Sequence, residues 1–257
     1  MSRISDKLYK MSKPVATPIG FHSVTSETNN SPLLLIAGIF SADIKEVKSL
    51  DGIPIDAALI SNQKLSLKKV GQFVKVLKDT PVGIIVNQLN EINNSNSVTA
   101  DLDFVVFDRH VSVTNVERTS VGKLFMIDAS FDMDFIKAVN ELDIEGVIID
   151  NSQVELLTVE NLLICQRLRV SLRKPLLMIL PPLVTYPELH RLRESGITGV
   201  ISSKTWSIES LIELRQNIDK LPKKPAPRTN KIDVILPNHV GYEDEDEDSE
   251  EDEDSEE

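Results

Sequence analysis

The sequence predicts an α/β protein whose eight parallel strands close into a (β/α)8 barrel. A unit of two strands recurs four times along the 257 residues. In each unit a Pro or Lys precedes a first apolar run. A second apolar run opens with Ile or Leu followed by a mostly polar residue, and the number of residues between the starts of the two runs is nearly constant. Such internal repetition decides the architecture, because each repeat is one structural unit. The gaps between the eight runs are long enough for helices, which favours a closed barrel over an open sheet.

The strands are expected at eight short runs rich in Ile, Val and Leu. Because the runs are continuous rather than alternating with polar residues, they are typical of parallel strands covered on both faces. The predicted ranges are 33–38, 56–61, 82–87, 103–108, 124–129, 145–150, 176–181 and 198–203.

The segments between the strands differ in helical character. Ser66 precedes a stretch in which Leu67, Val70, Val74 and Leu77 share one helical face, so we expect a helix capped by Ser66. Pro187 near the start and Gly196 after the end bracket another helix. Further helices are expected within 134–142, 158–172 and 207–218, whereas 88–100 and 109–120 have no clear apolar stripe and should be short, irregular or partly non-helical.

Composition shifts divide the chain into four parts. We expect a polar leader over 1–31, the barrel over 32–220, a Pro- and Lys-rich linker and packing segment over 221–241, and a disordered acidic tail over 242–257. The net charge of −12 belongs to that tail, since residues 243–257 hold 13 of the 40 acids and no base. The 27 remaining acids balance 28 bases, so the barrel itself gives no indication of nucleic-acid binding.

A single cysteine, Cys165, excludes an internal disulfide framework and fits a reducing compartment. Its apolar helical surroundings indicate a buried packing thiol. We find no signal peptide and no apolar run long enough to span a bilayer, so a cytoplasmic location without membrane partners is expected. The four histidines have no spacing typical of a zinc site.

The stretch from Tyr186 to Ile201, with Leu192, Gly196, Gly199 and Val200, resembles the seventh helix and eighth strand of phosphate-binding TIM barrels. The likeness covers about residues 32–220 as an architecture and matches no particular functional family. It implies a barrel with its site at the carboxyl ends of the strands. Those families usually place glycines after strands seven and eight, whereas this chain has Pro181-Pro182 and Ser202-Ser203-Lys204, so phosphate binding is not carried over.

Candidate site residues follow from aligning the strand ends of the repeat. Ser61, Asp108, Asp150 and Ser203 occupy the same position after the second strand of each unit. If the registers agree, they form a polar layer at one height, joined by Asn87 and Asp128 from the other strands. We expect Asp108, Asp128 and Asp150 to be catalytic, since converging carboxylates can hold Mg²⁺ or raise the pKa of one member for acid–base work. In the alternative interpretation, Ser and Asp after a strand simply cap the next helix or are solvated at the rim.

Ligand-binding candidates complete the rim. They are Ser61, Asn87, Arg109, Ser203, Lys204 and Thr205, the last three preceding a helix that starts at Ser207 and could receive an anion. Trp206 is expected to anchor that helix rather than to cover the mouth.

Two functions remain open at this stage. The first is a barrel that binds or converts a small, anionic metabolite at its mouth. The second is a non-catalytic interaction module whose acidic tail meets a basic protein partner; in that case, deleting 243–257 should abolish a salt-sensitive association.

Overall fold

The computed structural model describes residues 2–12, 31–61, 65–86, 102–117, 121–128, 131–204 and 206–222. Its eight strands form a closed parallel barrel in chain order, β1 to β8, with β8 pairing back onto β1. The predicted fold class is therefore confirmed. The strands are β1 Leu34–Ile39, β2 Ala57–Ile60, β3 Val82–Val86, β4 Phe104–Phe107, β5 Gly122–Ile127, β6 Gly146–Ile149, β7 Leu176–Ile179 and β8 Ile197–Ile201.

Helices cover the barrel from outside and from one end. In the described ranges they are α1 Arg3–Ser12, α2 Ile44–Ser49, α3 Leu67–Leu77, α4 Val113–Glu117, α5 Met133–Val139, α6 Val159–Ser171, α7 Tyr186–Glu194 and α8 Ile208–Asp219. The five residues of α4 bear out the prediction of a short fourth connection. Most of the third connection, together with the linker beyond 222 and the acidic tail, lies outside the described residues.

Several predicted helix boundaries can be compared with the structure. Gly196 follows α7 with φ of 98°, a conformation that glycine adopts without steric cost, as the sequence indicated. Ser66 is the N-cap residue of α3, as predicted, although its side chain makes no capping hydrogen bond. Side chains do cap four other helices, with Asp43, Asp132, Thr158 and Ser207 accepting backbone N–H bonds.

Two apolar layers hold the barrel together. Outward-facing strand residues pack against the helices, while the interior is filled by residues of the opposite alternation, such as Ile36, Leu59, Val106 and Ile148. Phe104 is the largest of these interior residues and is fully buried. It pairs in register with Gly83, where an added Cβ would lie 2.3 Å from the phenyl ring. Glycine at 83 therefore makes the room that Phe104 occupies.

Helix α1 closes the amino-terminal end of the barrel. Ile4 and Leu8 are buried among the interior residues, and Met11 packs against the same cluster. The predicted polar leader includes these residues, and no helix was predicted there. The signal was present, because positions 4, 8 and 11 have the spacing of one helical face.

In three of the four units, the polar residue that opens the second strand is an acid with a structural role at this end. The Asp56 carboxylate accepts from the amide of Leu35 at 2.9 Å, and the Glu145 carboxylate accepts from the amide of Lys123. Each therefore bonds an amide of the preceding strand. Asp103 instead accepts from α1, through the amides of Arg3 and Ile4 and the hydroxyl of Ser2, each at 2.8 Å. The repeated acid thus fastens the bottom of the barrel.

Candidate functional site at the mouth of the barrel

The strand register places four of the predicted polar residues at one level. Val106 pairs with Leu124, which pairs with Gly146, so Val106 and Gly146 share a register two strands apart. Strands of such barrels tilt by about 36°, which moves the level by about one residue for each strand crossed. Asp108 on β4 is therefore level with Asp150 on β6. The same counting around the barrel brings Ser203 after β8 and Ser61 after β2 to this level.

This polar layer lies above an apolar floor. Two residues earlier on the same strands, Leu59, Val106, Ile148 and Ile201 are buried in the barrel interior. On the strands between them, Gly38, Ile85 and Met126 are only half-buried. A solute that enters the mouth would thus meet hydroxyl and carboxylate groups at the rim and hydrocarbon beneath.

Asp108 and Asp150 also order the loops that follow them. Oδ1 of Asp108 accepts from the amide of His110 at 2.8 Å, and Oδ1 of Asp150 accepts from the amide of Ser152 at 3.0 Å. Neither residue caps a helix, so the capping interpretation is wrong for this pair. Among the described residues no hydrogen-bond partner is found for Oδ2 of either carboxylate, which leaves one acceptor on each for a ligand.

Asp128 directly follows β5 and lies two residues after Met126, which places both residues on the same face of the strand. Asp128 is exposed. Its register partner would be Asp150, because Ile127 pairs with Ile149. However, no group of three His, Cys, Asp or Glu residues in the described ranges is arranged to hold a metal ion. The three aspartates are therefore not placed as the Mg²⁺ ligands that the sequence suggested, and their catalytic role stays a prediction.

The side chain of Arg109 makes an aromatic contact. Its guanidinium carbon lies 4.9 Å from the ring centroid of Phe131, which stacks on Phe135 at 4.6 Å. Cation–π contacts of this kind favour a fixed arginine over a free one. Nothing in the sequence spacing pointed to this contact, since the aromatic ring comes from the next connection.

The loop after β8 forms the other side of the mouth. Ser203 is buried and Lys204 is exposed, whereas Thr205 and the predicted Asn87 lie outside the described residues. Trp206 donates its indole N–H to the carbonyl of Pro181 at 3.1 Å and packs against the outer core, which supports the predicted anchoring role.

Ser202 is a residue that the sequence analysis did not single out. Its Oγ accepts from the amide of Gly38 at 2.9 Å, which closes the seam between β8 and β1. A Cβ on Gly38 would lie 2.4 Å from the Ser202 carbonyl oxygen and 2.6 Å from the Phe40 ring. The sequence pointed to this position only through the neighbouring Ser203, because Ser202 and Ser203 lie on opposite faces of the strand.

One cleft of about 410 Å³, a volume that includes open solvent, lies at the seam between α2 and α8. It is lined mainly by apolar side chains, among them Val47, Trp206 and Leu211, on the helix side of the barrel wall. Its hydroxyls from Ser202 and Ser207 already accept backbone hydrogen bonds. The cleft contains none of the four residues of the polar layer, so we place the candidate site inside the mouth.

Cys165 is fully buried, as expected, and burial raises the pKa of its thiol to about 12. Only the neutral thiol is accommodated, so stability attributable to this group is present below the unfolded pKa near 9 and is lost as the pH rises through 12. We therefore predict that a thiol reagent at about pH 8, where an unfolded cysteine is partly ionised, labels Cys165 only after unfolding. Labelling of the folded chain at the rate of the denatured chain would contradict this burial.

No helix among the described residues is long and apolar enough to cross a membrane. No family model and no curated protein matches the chain.

Solved structures, by contrast, resemble it along most of the barrel. Three of them are structures of the tryptophan synthase alpha subunit from the hyperthermophile Pyrococcus furiosus. One, from work on its entropic stabilisation, is 11% identical with a TM-score of 0.58, covering 74% of this chain and 96% of that one. Two mutants of the subunit are each 12% identical with TM-scores of 0.59 and 0.57, covering 73% of this chain and 97% of theirs. At such identities the likeness shows the fold alone, and the chain is a TIM barrel similar to that subunit.

Proposed function

We propose that the mouth of this barrel binds a small polar metabolite that has hydroxyl or amino groups at one end and an anionic group at the other. The proposal rests on the strand register, in which Ser61, Asp108, Asp150 and Ser203 lie at the same height along the barrel axis. Four polar residues from distant parts of the chain therefore share one rim. Barrels of this kind have their sites at this end of the strands.

The chemistry of the ligand follows from the two sides of the rim. Asp108 and Asp150 each offer Oδ2 as an acceptor, which suits donor groups such as hydroxyls or amines. Across the mouth, Ser203 and the exposed Lys204 precede α8, whose N-terminal amides favour negative charge. The half-buried Ile85 and Met126 beneath suit the carbon skeleton between these groups. The single, buried thiol supports a reducing, cytoplasmic setting for such a protein.

Thermal unfolding of the full chain, followed by the fluorescence of its single tryptophan, tests the proposal. The panel consists of amino acids, hydroxy acids, sugar acids and sugar phosphates, with polyols and simple amines as compounds lacking the anionic end. A ligand that binds only the native state stabilises it by about 2.7 kcal/mol at 100 times its Kd. We expect stabilisation by compounds that combine both kinds of group.

Two substitutions locate the binding. Asp150→Asn and Lys204→Ala should each remove most of the ligand-induced stabilisation, because each deletes one charge at the rim. Asp134→Asn and Lys137→Ala are matched controls on α5, where the two residues pair with each other on the surface at 3.1 Å. The proposal fails if no compound stabilises the protein, or if the rim variants respond as the controls do.

A further inference from the structure

The outer face of α6, which points away from the barrel, carries three exposed apolar residues. Val159, Leu163 and Val170 are 73%, 60% and 88% exposed. At 3.6 residues per turn, these three positions fall within one narrow arc of the helix. The residues that α6 buries against the barrel, Cys165 and Leu168 among them, lie on the opposite side.

Such a helix differs from an ordinary surface helix, which is polar on its outer side. Leu156, in the loop that precedes α6, is also exposed, at 58%. The set of Val159, Leu163 and Val170, which we call the α6 stripe, follows the three- and four-residue steps of a seam between two paired helices, with the exposed Gln166 at the position between Leu163 and Val170. Contiguous exposed apolar surface of this kind marks an interaction site.

The charges beside the stripe indicate what covers it. Glu160 and Arg167 lie seven residues apart on the same flank, and neither forms an ion pair within the described part of the chain. In an antiparallel pair of α6 helices with a twofold axis near Leu163, Glu160 of each copy comes nearly level with Arg167 of the other. The same axis places Leu163 against Leu163. The face is therefore complementary to itself in charge.

We propose that this protein forms a twofold homodimer through the α6 stripe, with the two α6 helices antiparallel. Twofold interfaces are isologous, so a single self-complementary patch suffices to build one. The mouth of the barrel opens at the carboxyl ends of the strands, whereas the stripe runs along the barrel's side. The dimer and the proposed ligand site therefore stand or fall separately.

Sedimentation equilibrium of the full chain tests the dimer over about 1 to 500 μM protein, a range suited to modest interfaces. We expect dimers in the wild type and a dissociation constant at least about 100-fold higher in Leu163→Glu, because the substitution buries two facing charges at the axis. Ile212→Glu is the matched control, since Ile212 is a partly exposed apolar residue on α8, at 41% exposure. Leu163 is exposed in the single chain, so the variant should fold normally.

Charge exchange distinguishes α6 pairing from any other dimer. Glu160→Arg and Arg167→Glu should each weaken association, and the double variant should restore it, because the two charges face each other across the axis. Leu163→Cys should form an intermolecular disulfide under mild oxidation, whereas Ile212→Cys should not; native Cys165 is buried and does not interfere. A wild type that stays monomeric throughout the range, or a dimer indifferent to these changes, would overturn the proposal.

Discussion

Replacing Phe104 by alanine is expected to lower the free energy of unfolding by about 3–5 kcal/mol, the cost typical of a large buried aromatic residue. Phe104 is fully buried inside the barrel, and its ring fills the space that Gly83 leaves on the neighbouring strand. Loss of the ring creates a cavity bounded by strands on all sides, which can collapse only a little. Urea unfolding followed by Trp206 fluorescence measures the change.

The complementary substitution tests the packing from the other side. Gly83→Ala should cost about 1–3 kcal/mol, because its Cβ would overlap the Phe104 ring. In the Phe104→Ala background the same substitution should cost much less, since the overlapping atoms are gone. Phe135→Ala, at a 37% exposed position on α5, serves as a control for loss of an aromatic ring outside the barrel. Additive effects of the Gly83 and Phe104 changes would contradict the contact.

Replacing Asp103 by alanine is expected to cost about 2–3 kcal/mol, since hydrogen bonds to a charged group contribute more than neutral ones. The Asp103 carboxylate accepts from two amides and a hydroxyl at the start of α1 and also contacts the Arg3 guanidinium at 3.4 Å. Without it, α1 should separate from the barrel and expose Ile4 and Leu8. Hydrogen exchange at the α1 amides should accelerate more than exchange in the strands.

The control for Asp103 is Asp143→Ala, which removes an acid whose side chain is fully exposed. We expect this variant to keep both its stability and the protection of α1. If Asp103→Ala left the exchange of α1 amides unchanged, the carboxylate could not be the group that fastens this helix.

The strands were predictable because the repeat fixes both their order and their level. Once the four units are aligned, the positions of Ser61, Asp108, Asp150 and Ser203 follow from sequence spacing alone, and the hydrogen-bond register agrees. The polar residue of each unit was visible as well. Its role was not, because Asp103 bonds to a helix far earlier in the chain.

What sequence spacing could not supply were contacts between different connections. Arg109 rests on Phe131, and Trp206 bonds to Pro181; both partners are distant in the chain and follow no period. The two faces of α6 show a further limit of prediction from sequence. An apolar stripe in the sequence predicts a helix, but only the packed barrel shows which of the two faces is left uncovered.

The central claim is that residues from β2, β4, β6 and β8 form one binding rim. Amide chemical-shift mapping of the full chain tests it most directly, using a compound from the panel that raises the unfolding temperature. If these strands share one rim, amides of 108–110, 150–152 and 202–204 should shift together at the same ligand concentrations. Shifts confined to one of these loops, or centred on the cleft between α2 and α8, would contradict it.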